Sequence, residues 1–278
     1  MSSACWISKP STSSTVGRAR RLLIEMLHKA GEGHFGGSLS ALDIVDVLVG
    51  KVVRSEVGDT LILSKGHAAP ALYAVWASRG LINEEELSTF GQFRSRLQGH
   101  PDRVSLPLVD FSTGSLGQGL SAGLGYALAA RGTDRRSIVV VGDGECQEGQ
   151  VWEAAQLAAR LRPSGLVVVV DCNGRQEWGF RRASVPLPPL ENPAEKWRAF
   201  GWAVIECNGH DHADLVRCLT DAAGSAVPTA VIAHTRKGNG ASLIEADIDR
   251  FHCGGLTDDE YADVLEELGT RCGLPRPA

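Results

Sequence analysis

Residues 137–173 read SIVVVGDGECQEGQVWEAAQLAARLRPSGLVVVVDCN and contain two short runs that are almost wholly apolar and β-branched, Ser137 to Val141 and Leu166 to Val170. Runs of this kind are typical of strands that are buried on both faces of a parallel sheet. The sequence between them predicts a helix over about Gln150 to Leu161. A strand, a crossover helix and a second strand form a βαβ unit, so this stretch predicts an α/β fold.

The alternation of helices and strands continues on both sides of this unit. Helices are predicted from Val16 to Ala30, from Ala41 to about Val49 as an amphipathic stretch, through Ala77, from the Gly114 to Gly119 segment onward, and near Asp214 to Ala222. Further strands are predicted at Leu61 to Leu63, Trp202 to Ile205 and Thr229 to Ala233. We therefore expect a doubly wound, mostly parallel sheet with helices on both faces.

The chain is expected to form one domain. Residues 1–15 are rich in Ser and Thr and show no periodicity, which predicts a mobile N-terminal tail followed by a single domain over residues 16–278. Two long irregular segments interrupt the regular pattern, Phe90 to Pro107 and Gly174 to Pro193. Loops of this length are often functional lids.

Composition excludes several classes of protein. The 278 residues are 43% hydrophobic and 22% charged, which excludes an unfolded chain, and the net charge of -5 gives no electrostatic footprint for nucleic acid. The seven cysteines form no C-x-x-C pair and do not suggest a disulfide framework. No membrane span or signal peptide is evident, so we expect a cytoplasmic protein.

Polar residues follow the two strands of the central unit. Gly142-Asp143-Gly144 comes after the first strand, and Asp171-Cys172-Asn173 comes after the second. Because the carboxyl ends of neighbouring parallel strands share one edge of the sheet, Asp143 and Asn173 are expected to converge. Their oxygens suit Mg²⁺, and the flanking glycines and the helix that follows suit a diphosphate. The alternative is that G-D-G is only a tight turn.

Three histidines sit beside glycine in predicted loops, namely His34, His67 and His100. Imidazoles of this kind suit a site that binds sugar hydroxyls and moves their protons. Each histidine taken alone is more often a capping or loop residue, and a structural role is the better expectation for His28, His210 and His212. His234, which ends a predicted strand, could serve either purpose.

Together these motifs resemble the N-terminal, diphosphate-binding half of transketolase, and in particular the split transketolases whose two halves are separate chains. The resemblance covers roughly Val16 to Leu268. It is carried by GHFGGSLSALDIVDVL from Gly33, LSKGHAAPALY from Leu63, LQGHPD from Leu97, STGSLGQGLSAGLG from Ser112, GDGECQEGQVWEA from Gly142 and DCNGRQ from Asp171. The fold that it implies is the thiamine diphosphate-binding fold.

The resemblance also implies roles for individual residues. Thiamine diphosphate and Mg²⁺ are the implied cofactors, with the metal bound by Asp143, Asn173 and the carbonyl of Arg175. Residues that would contact the cofactor are His67, Gly114, Ser115, Leu116, Gly142, Asp143, Gly144 and Asn173. Residues that would act in catalysis are His34, His67 and His100 on the donor sugar, Glu148 near the dimer interface in linking the paired cofactors, and His252, whose segment departs from the usual W-H-G or S-H-G pattern.

The implied activity is the transfer of a two-carbon ketol unit from a ketose, or ketose phosphate, to an aldehyde acceptor. A separate chain would carry the pyrimidine-binding domain and its catalytic glutamate, in an assembly of two copies of each chain. Two alternatives remain open at this point: the α subunit of a 2-oxo acid dehydrogenase, which shares the metal motif, and a noncatalytic cofactor-binding module. Phe35 and the segment Gln176 to Phe180 depart from the family pattern and leave room for a specialised donor or acceptor.

Overall fold

A computed structural model describes residues 13–177, 181–182, 185–186 and 188–272 of the chain. Its main sheet is wholly parallel and has the strand order β1-β2-β3-β7-β6. The strands of this sheet are β1 (Thr60–Leu63), β2 (Ser137–Gly142), β3 (Leu166–Cys172), β6 (Ala203–Asn208) and β7 (Thr229–His234). A small antiparallel pair is formed by β4 (Arg181–Arg182) and β5 (Val185–Pro186).

Helices cover both faces of the main sheet. The α-helices are α1 (Ser13–Ala30), α2 (Phe35–Val47), α3 (Ala69–Ser78), α4 (Gln118–Ala129), α5 (Gly149–Leu161), α6 (Pro193–Ala199), α7 (His212–Ala223), α8 (Ser242–Ala246) and α9 (Asp258–Cys272). Short 3₁₀ turns lie at Gly66–Ala68, Glu84–Thr89, Glu145–Gln147 and Arg250–His252, and α2 continues into a π-turn at Leu48–Val52.

The alternating side chains of the central strands build two separate cores. Val140 and Val169 face a large cluster that packs α1, α2, α3, α7 and α9 on one side of the sheet. Val139 and Val168 face a second cluster beneath α4, α5 and α6. This is the two-sided burial that the apolar strand sequences predict, and the expected doubly wound α/β fold is confirmed.

Helix α2 differs from the prediction. It begins at Phe35 rather than Ala41, and every residue from Phe35 to Val47 is buried. The helix packs between α1, α3 and α7 and therefore has no solvent face, so the expected amphipathic pattern was wrong. Gly36 and Gly37 lie inside the helix because their lack of a side chain allows close packing. The sequence prediction read this glycine pair as loop.

Three helices, α6, α8 and α9, were not predicted, and two are only one to two turns long. The segment Phe90 to Pro107 is irregular, as expected. Within Gly174 to Pro193 the structure describes the β4–β5 pair, while residues 178–180, 183–184 and 187 lie outside the described residues. Residues 1–12 of the predicted tail also lie outside them, and α1 begins at Ser13.

A backbone bridge joins two segments that are far apart in the sequence. The Gly33 amide donates to the Gly254 carbonyl at 3.0 Å, and the Gly254 amide donates to the Gly33 carbonyl at 3.2 Å. A side chain would not fit at Gly254, because a Cβ there would lie 2.5 Å from the Arg250 carbonyl oxygen. The bridge therefore sets the segment before α2 against the segment before α9. Each helix within the described ranges is too short or too polar to cross a lipid bilayer.

Candidate active site

A cleft of about 450 Å³ opens at the carboxyl edge of the main sheet. Loops after β1, β2, β3 and β7 contribute to its walls, as does the turn before α2. Its lining consists of His34, Gly37, Lys65, His67, His100, Gly114, Leu116, Gly142, Asp143, Gly144, Glu145, Gln147, Glu148, Asn173, Arg175, Gln176, Glu177, Lys237 and His252. The edge is the one at which open parallel sheets bind ligands.

Asp143 and Asn173 lie at the tips of β2 and β3, which are neighbours in the sheet. The Asp143 carboxylate accepts hydrogen bonds from the amide of Gly144 at 2.8 Å and from the amide of Gly174 at 2.6 Å. The Asn173 side-chain oxygen accepts from the amide of Arg175 at 3.0 Å, while its nitrogen donates to Ser40 Oγ at 3.3 Å. These contacts fix the orientation of both side chains, and the bond from Gly174 to Asp143 joins the two strand tips.

The surroundings of Asp143 suit a cation. Burial, and then the nearby Asp171 carboxylate, raise the pKa of Asp143 to about 7. Among the described residues, no Lys or Arg forms a salt bridge with it. A buried carboxylate is ionised most readily beside a positive charge, and a carboxylate, an amide oxygen and a backbone carbonyl are hard ligands suited to Mg²⁺. The residues present therefore fit a divalent metal ion.

Glycines keep the cleft open at two points. A Cβ at Gly37 would lie 3.3 Å from His67 Nε2, and a Cβ at Gly114 would point towards the His100 ring at 3.6 Å. Both positions face lining side chains rather than the interior of the domain. The absence of side chains at these two glycines therefore leaves space in the cleft for a bound group.

A buried ion pair underlies the strand tips. Lys65, which follows β1, donates to Asp171 at 2.5 Å, and to the carbonyl of Gly37 at 3.1 Å. Ser40 and Thr235 also donate to the Asp171 carboxylate. Although burial opposes ionisation, Lys65 and these hydrogen bonds hold the pKa of Asp171 below its ordinary value. Asp171 is therefore satisfied within the protein, in contrast to Asp143.

Glu145 fastens the loop before α4 to the end of β2. Its carboxylate accepts from Ser64 Oγ at 2.5 Å, from the amide of Gly117 at 2.9 Å and from the amide of Gly142 at 3.1 Å. Gly117 has a φ of 82°, a left-handed conformation that favours glycine, and a Cβ there would lie 2.9 Å from Glu148 Cβ. This arrangement sets Gly114 and Leu116 along one wall of the cleft.

Four histidines from distant parts of the chain lie close together, with His34 at their centre. The ring centroid of His34 lies 5.3 Å from that of His67, 5.7 Å from that of His252 and 6.4 Å from that of His100. The His67 and His252 rings lie 6.1 Å apart. The bridge between Gly33 and Gly254 accounts for the approach of His34 and His252.

Three of these imidazoles are held in their neutral form. Burial, followed by neighbouring positive groups, lowers the pKa of His34, lowers that of His67 well below its ordinary value, and lowers that of His252 to about 4. A neutral imidazole carries one donor and one acceptor nitrogen, so it can both give a hydrogen bond to a hydroxyl group and receive one. The cluster is therefore suited to polyol recognition and proton transfer.

Lys237 brings a positive charge into the same cleft. Its Nζ lies 2.6 Å from His252 Nδ1, and its side chain is buried. Burial, and then the nearby Lys65, lower the pKa of Lys237 to about 8, so its ammonium is still charged at neutral pH. No carboxylate among the described residues forms a salt bridge with it, which leaves the charge available to an anion.

Nearly all of the predicted site residues line this one cleft. The exception is Ser115, which is exposed between two lining residues. His100 and Glu148 lie at the exposed rim. Phe35, in contrast, does not point into the cleft, because it is buried in the core and packs edge-on against Phe251 with a centroid distance of 6.1 Å. Its departure from the family pattern therefore changes the core behind the site.

The remaining histidines lie outside the cleft lining. His28 contacts Asp258 at 3.3 Å, and His210 and His212 contact Asp43 at 2.8 and 3.1 Å, in agreement with the expected structural roles. His234 is exposed and contacts Glu206 at 3.1 Å.

Lys65, Glu145 and Lys237 were assigned no role from the sequence. Lys237 could have been found by the same topological rule that placed Asp143 and Asn173, since it follows the carboxyl end of β7. Lys65 and Glu145 also follow strands, β1 and β2, but their burial could not be inferred from the sequence, because a charged residue after a strand is usually exposed.

A parallel sheet whose strand tips, glycines and neutral histidines surround one polar cleft defines an α/β enzyme domain of the kind that binds a cofactor at the carboxyl edge. The chain belongs to the transketolase family, since residues 11–274 match the family described as "Transketolase, thiamine diphosphate binding domain". This membership confirms the resemblance inferred from the motifs. It also confirms the expected enzyme class, a transferase that uses thiamine diphosphate.

Similar proteins include two that are named as subunits of transketolases. The chain is 35% identical over 262 residues to a subunit of the apulose-4-phosphate transketolase of Phocaeicola vulgatus, covering 91% of this chain and 92% of that protein. It is 37% identical over 259 residues to the 6-deoxy-6-sulfo-D-fructose transketolase subunit SqwG of a Clostridium species. This match covers 90% of this chain and 93% of that protein. The crystal structure of transketolase from Campylobacter jejuni matches with a TM-score of 0.78 and 27% identity, covering 96% of this chain but 43% of that one.

Proposed function

We propose that this chain is the thiamine diphosphate-binding subunit of a two-chain transketolase, which moves a two-carbon ketol unit from a ketose or ketose phosphate to an aldehyde acceptor. The match of this chain to more than 90% of two proteins named as transketolase subunits supports this assignment. The second chain would carry the pyrimidine-binding domain. Two copies of each chain would form the active assembly, in the cytoplasm.

Asp143, Asn173 and the carbonyl of Arg175 would hold Mg²⁺ in this proposal. The support is that a buried carboxylate, with no ion pair among the described residues, and an oriented amide lie on neighbouring strand tips. Gly142 and Gly144 allow the backbone to approach the diphosphate, and the Lys237 ammonium would balance its charge. His67, Gly114, Ser115 and Leu116 would complete the cofactor contacts.

When bound, thiamine diphosphate supplies the carbon nucleophile and the electron sink that ketol transfer requires. This chain contributes the positions of protons and hydroxyls around it. His34 and His100 would hold the donor hydroxyls, and the neutral state of His34 allows it to accept a proton from one of them and return it. His252, whose Nδ1 accepts from Lys237, would present its other nitrogen as a donor.

The exposure of the rim of the cleft is consistent with a partner chain that covers it. His100, Glu148, Arg175 and Glu177 are all exposed, although sugar transfer requires that water be kept from the reacting groups. A partner that covers this rim would exclude water from the site. Glu148, at the start of α5, would then lie at the contact and act in linking the paired cofactors.

The observation that carries this proposal is the meeting of Asp143 and Asn173 with the His34 cluster in one cleft. It is tested by assaying the purified chain with thiamine diphosphate and Mg²⁺, alone and mixed with its partner chain. The donor panel would contain fructose 6-phosphate, apulose 4-phosphate and 6-deoxy-6-sulfofructose, with pyruvate as a 2-oxo acid control. We expect ketol transfer only in the mixture and only from the ketoses. Rapid ketol transfer by the chain without its partner would refute the need for a partner. If pyruvate were turned over and none of the ketoses reacted, the transketolase assignment would be refuted.

A further inference from the structure

A buried carboxylate outside the cleft joins four parts of the chain. Asp43 of α2 is 4% exposed and accepts hydrogen bonds from Arg20 at 3.0 Å, His210 at 2.8 Å, His212 at 3.1 Å and Asn239 at 3.3 Å. Burial opposes its ionisation, but the hydrogen bonds from the two histidines and the charge of Arg20 hold the pKa of Asp43 below its ordinary value. We call these five residues the Asp43 cluster.

His210 links this cluster to the backbone beside Lys237 through hydrogen bonds of its two ring nitrogens. Its Nε2 accepts a hydrogen bond from the Arg236 amide at 2.7 Å. Because an imidazole nitrogen that accepts a hydrogen bond carries no proton, the ring proton lies on Nδ1 and is donated to Asp43. His210 is thus a neutral spacer of fixed tautomer between a buried carboxylate and a main-chain amide.

The turn that bears Lys237 is held on both sides of that residue. Arg236 is bound by His210, Asn239 donates to Asp43, and the Gly238 amide donates to the Gly36 carbonyl at 3.0 Å. The Lys237 side chain runs close to Gly36, where a Cβ would lie 3.0 Å from Lys237 Cγ. The turn therefore has little freedom to move relative to α2. In this position the Lys237 ammonium contacts His252 Nδ1.

We propose that Asp43 and His210 are positioning residues for Lys237: they fix the turn after β7 so that the Lys237 ammonium stays in the cleft against His252. The proposal rests on the proposed function in so far as Lys237 serves the diphosphate. Neither Asp43 nor His210 lines the cleft, so any effect on the site must pass through the turn.

A double-mutant cycle separates positioning from a general loss of stability. The dissociation constant of thiamine diphosphate with Mg²⁺ would be measured by calorimetry on the assembled complex for His210→Phe, Lys237→Met and the double variant. We expect His210→Phe to weaken binding about tenfold in the wild-type background and to have no further effect beside Lys237→Met. Equal losses in the two backgrounds would overturn the proposal.

Two further variants serve as controls. His210→Gln replaces the imidazole with an amide that can also donate and accept a hydrogen bond, so we expect it to retain part of the affinity that His210→Phe loses. His28→Phe removes a histidine that also contacts an aspartate, Asp258, but at the packing of α1 against α9. It should lower the melting temperature without changing the dissociation constant. A loss of affinity in His28→Phe as large as that in His210→Phe would mean that general destabilisation explains the result, and the proposal would fail.

A spectroscopic readout tests the positioning without the cofactor. In ¹⁵N-histidine spectra of the chain, His252 Nδ1 should give the signal of an acceptor nitrogen, because Lys237 donates to it. We expect His210→Phe to shift this signal towards a mixture of tautomers and His28→Phe to leave it unchanged. An unaltered His252 signal in His210→Phe would overturn the proposal. A shifted signal together with normal cofactor affinity in Lys237→Met would uphold the positioning and reject only the diphosphate role of Lys237.

Discussion

Lys65 Nζ lies 2.5 Å from Asp171 Oδ2, and the two side chains are 2% and 0% exposed. The pair neutralises one of the two carboxylates at the tips of β2 and β3. The other, Asp143, has no ion pair among the described residues. The sheet edge thus holds one carboxylate that is compensated by a lysine and one that has no compensating ion pair among the described residues.

We expect Lys65→Met to lower the free energy of unfolding by about 3–5 kcal/mol, because it leaves the Asp171 carboxylate buried without its partner. Urea unfolding of the isolated chain would measure this loss. The matched control is Arg96→Met, which removes an ion pair with Glu86 in which Arg96 is 49% exposed. Since exposed pairs contribute about 0–1 kcal/mol, a loss from Arg96→Met equal to that from Lys65→Met would contradict the prediction.

Asp143→Asn is expected to raise the dissociation constant of thiamine diphosphate by about 100-fold in the presence of Mg²⁺. The change keeps the shape of the side chain and removes the charge that would bind the metal. Calorimetry on the assembled complex at several Mg²⁺ concentrations would measure it. Asp258→Asn alters an exposed carboxylate at the start of α9 and should behave as wild type. Magnesium-dependent binding of normal strength in Asp143→Asn would remove Asp143 from the metal site.

The affinity for thiamine diphosphate should fall as the pH rises through about 8. Burial, and then Lys65, lower the pKa of Lys237 to about 8, while Asp143, Asp171 and Asp249 act in the opposite direction. Below that pH the ammonium is charged and attracts the diphosphate, and above it the charge is lost. His252, which contacts Lys237, is already neutral throughout this range because its pKa is about 4.

Lys237→Arg provides the control for this pH dependence, because a guanidinium remains charged at every pH of the measurement. We expect the decline in affinity near pH 8 to be absent in Lys237→Arg. Titrations of wild type and variant from about pH 6.5 to about pH 9.5 would show the difference, since any titration of the cofactor itself affects both equally. Parallel curves would show that Lys237 is not the titrating group.

His34→Asn should lower kcat/KM for the ketose donor by about 100-fold or more, with the dissociation constant of thiamine diphosphate unchanged. In the proposed function, His34 lies at the centre of the histidine cluster and would contact the donor hydroxyls rather than the diphosphate. Steady-state kinetics of the assembled enzyme and calorimetry would be compared. His234→Asn changes an exposed histidine bound to Glu206 and should leave both quantities as they are. A His34→Asn enzyme with normal kcat/KM would exclude this role.

Topology accounts for the part of the site that could be predicted from the sequence. Two apolar runs flanking a helix predict neighbouring parallel strands, and this alone brings Asp143 close to Asn173. The burial of α2 could not be foreseen, since its glycines read as loop residues until the packing around them is known. His252 was assigned only by resemblance, because its approach to His34 depends on a main-chain bridge that leaves no side-chain signature.

The bridge between Gly33 and Gly254 also bears on how such a site can change its preferences over time. Only main-chain atoms form it, so this link between the segments that carry His34 and His252 does not itself require particular side chains at Phe35 or Cys253. A substitution at buried Phe35 can therefore change the core behind the site without removing this main-chain link. In the proposed function, a new sugar preference could therefore evolve by single substitutions while the link between the His34 and His252 segments is kept.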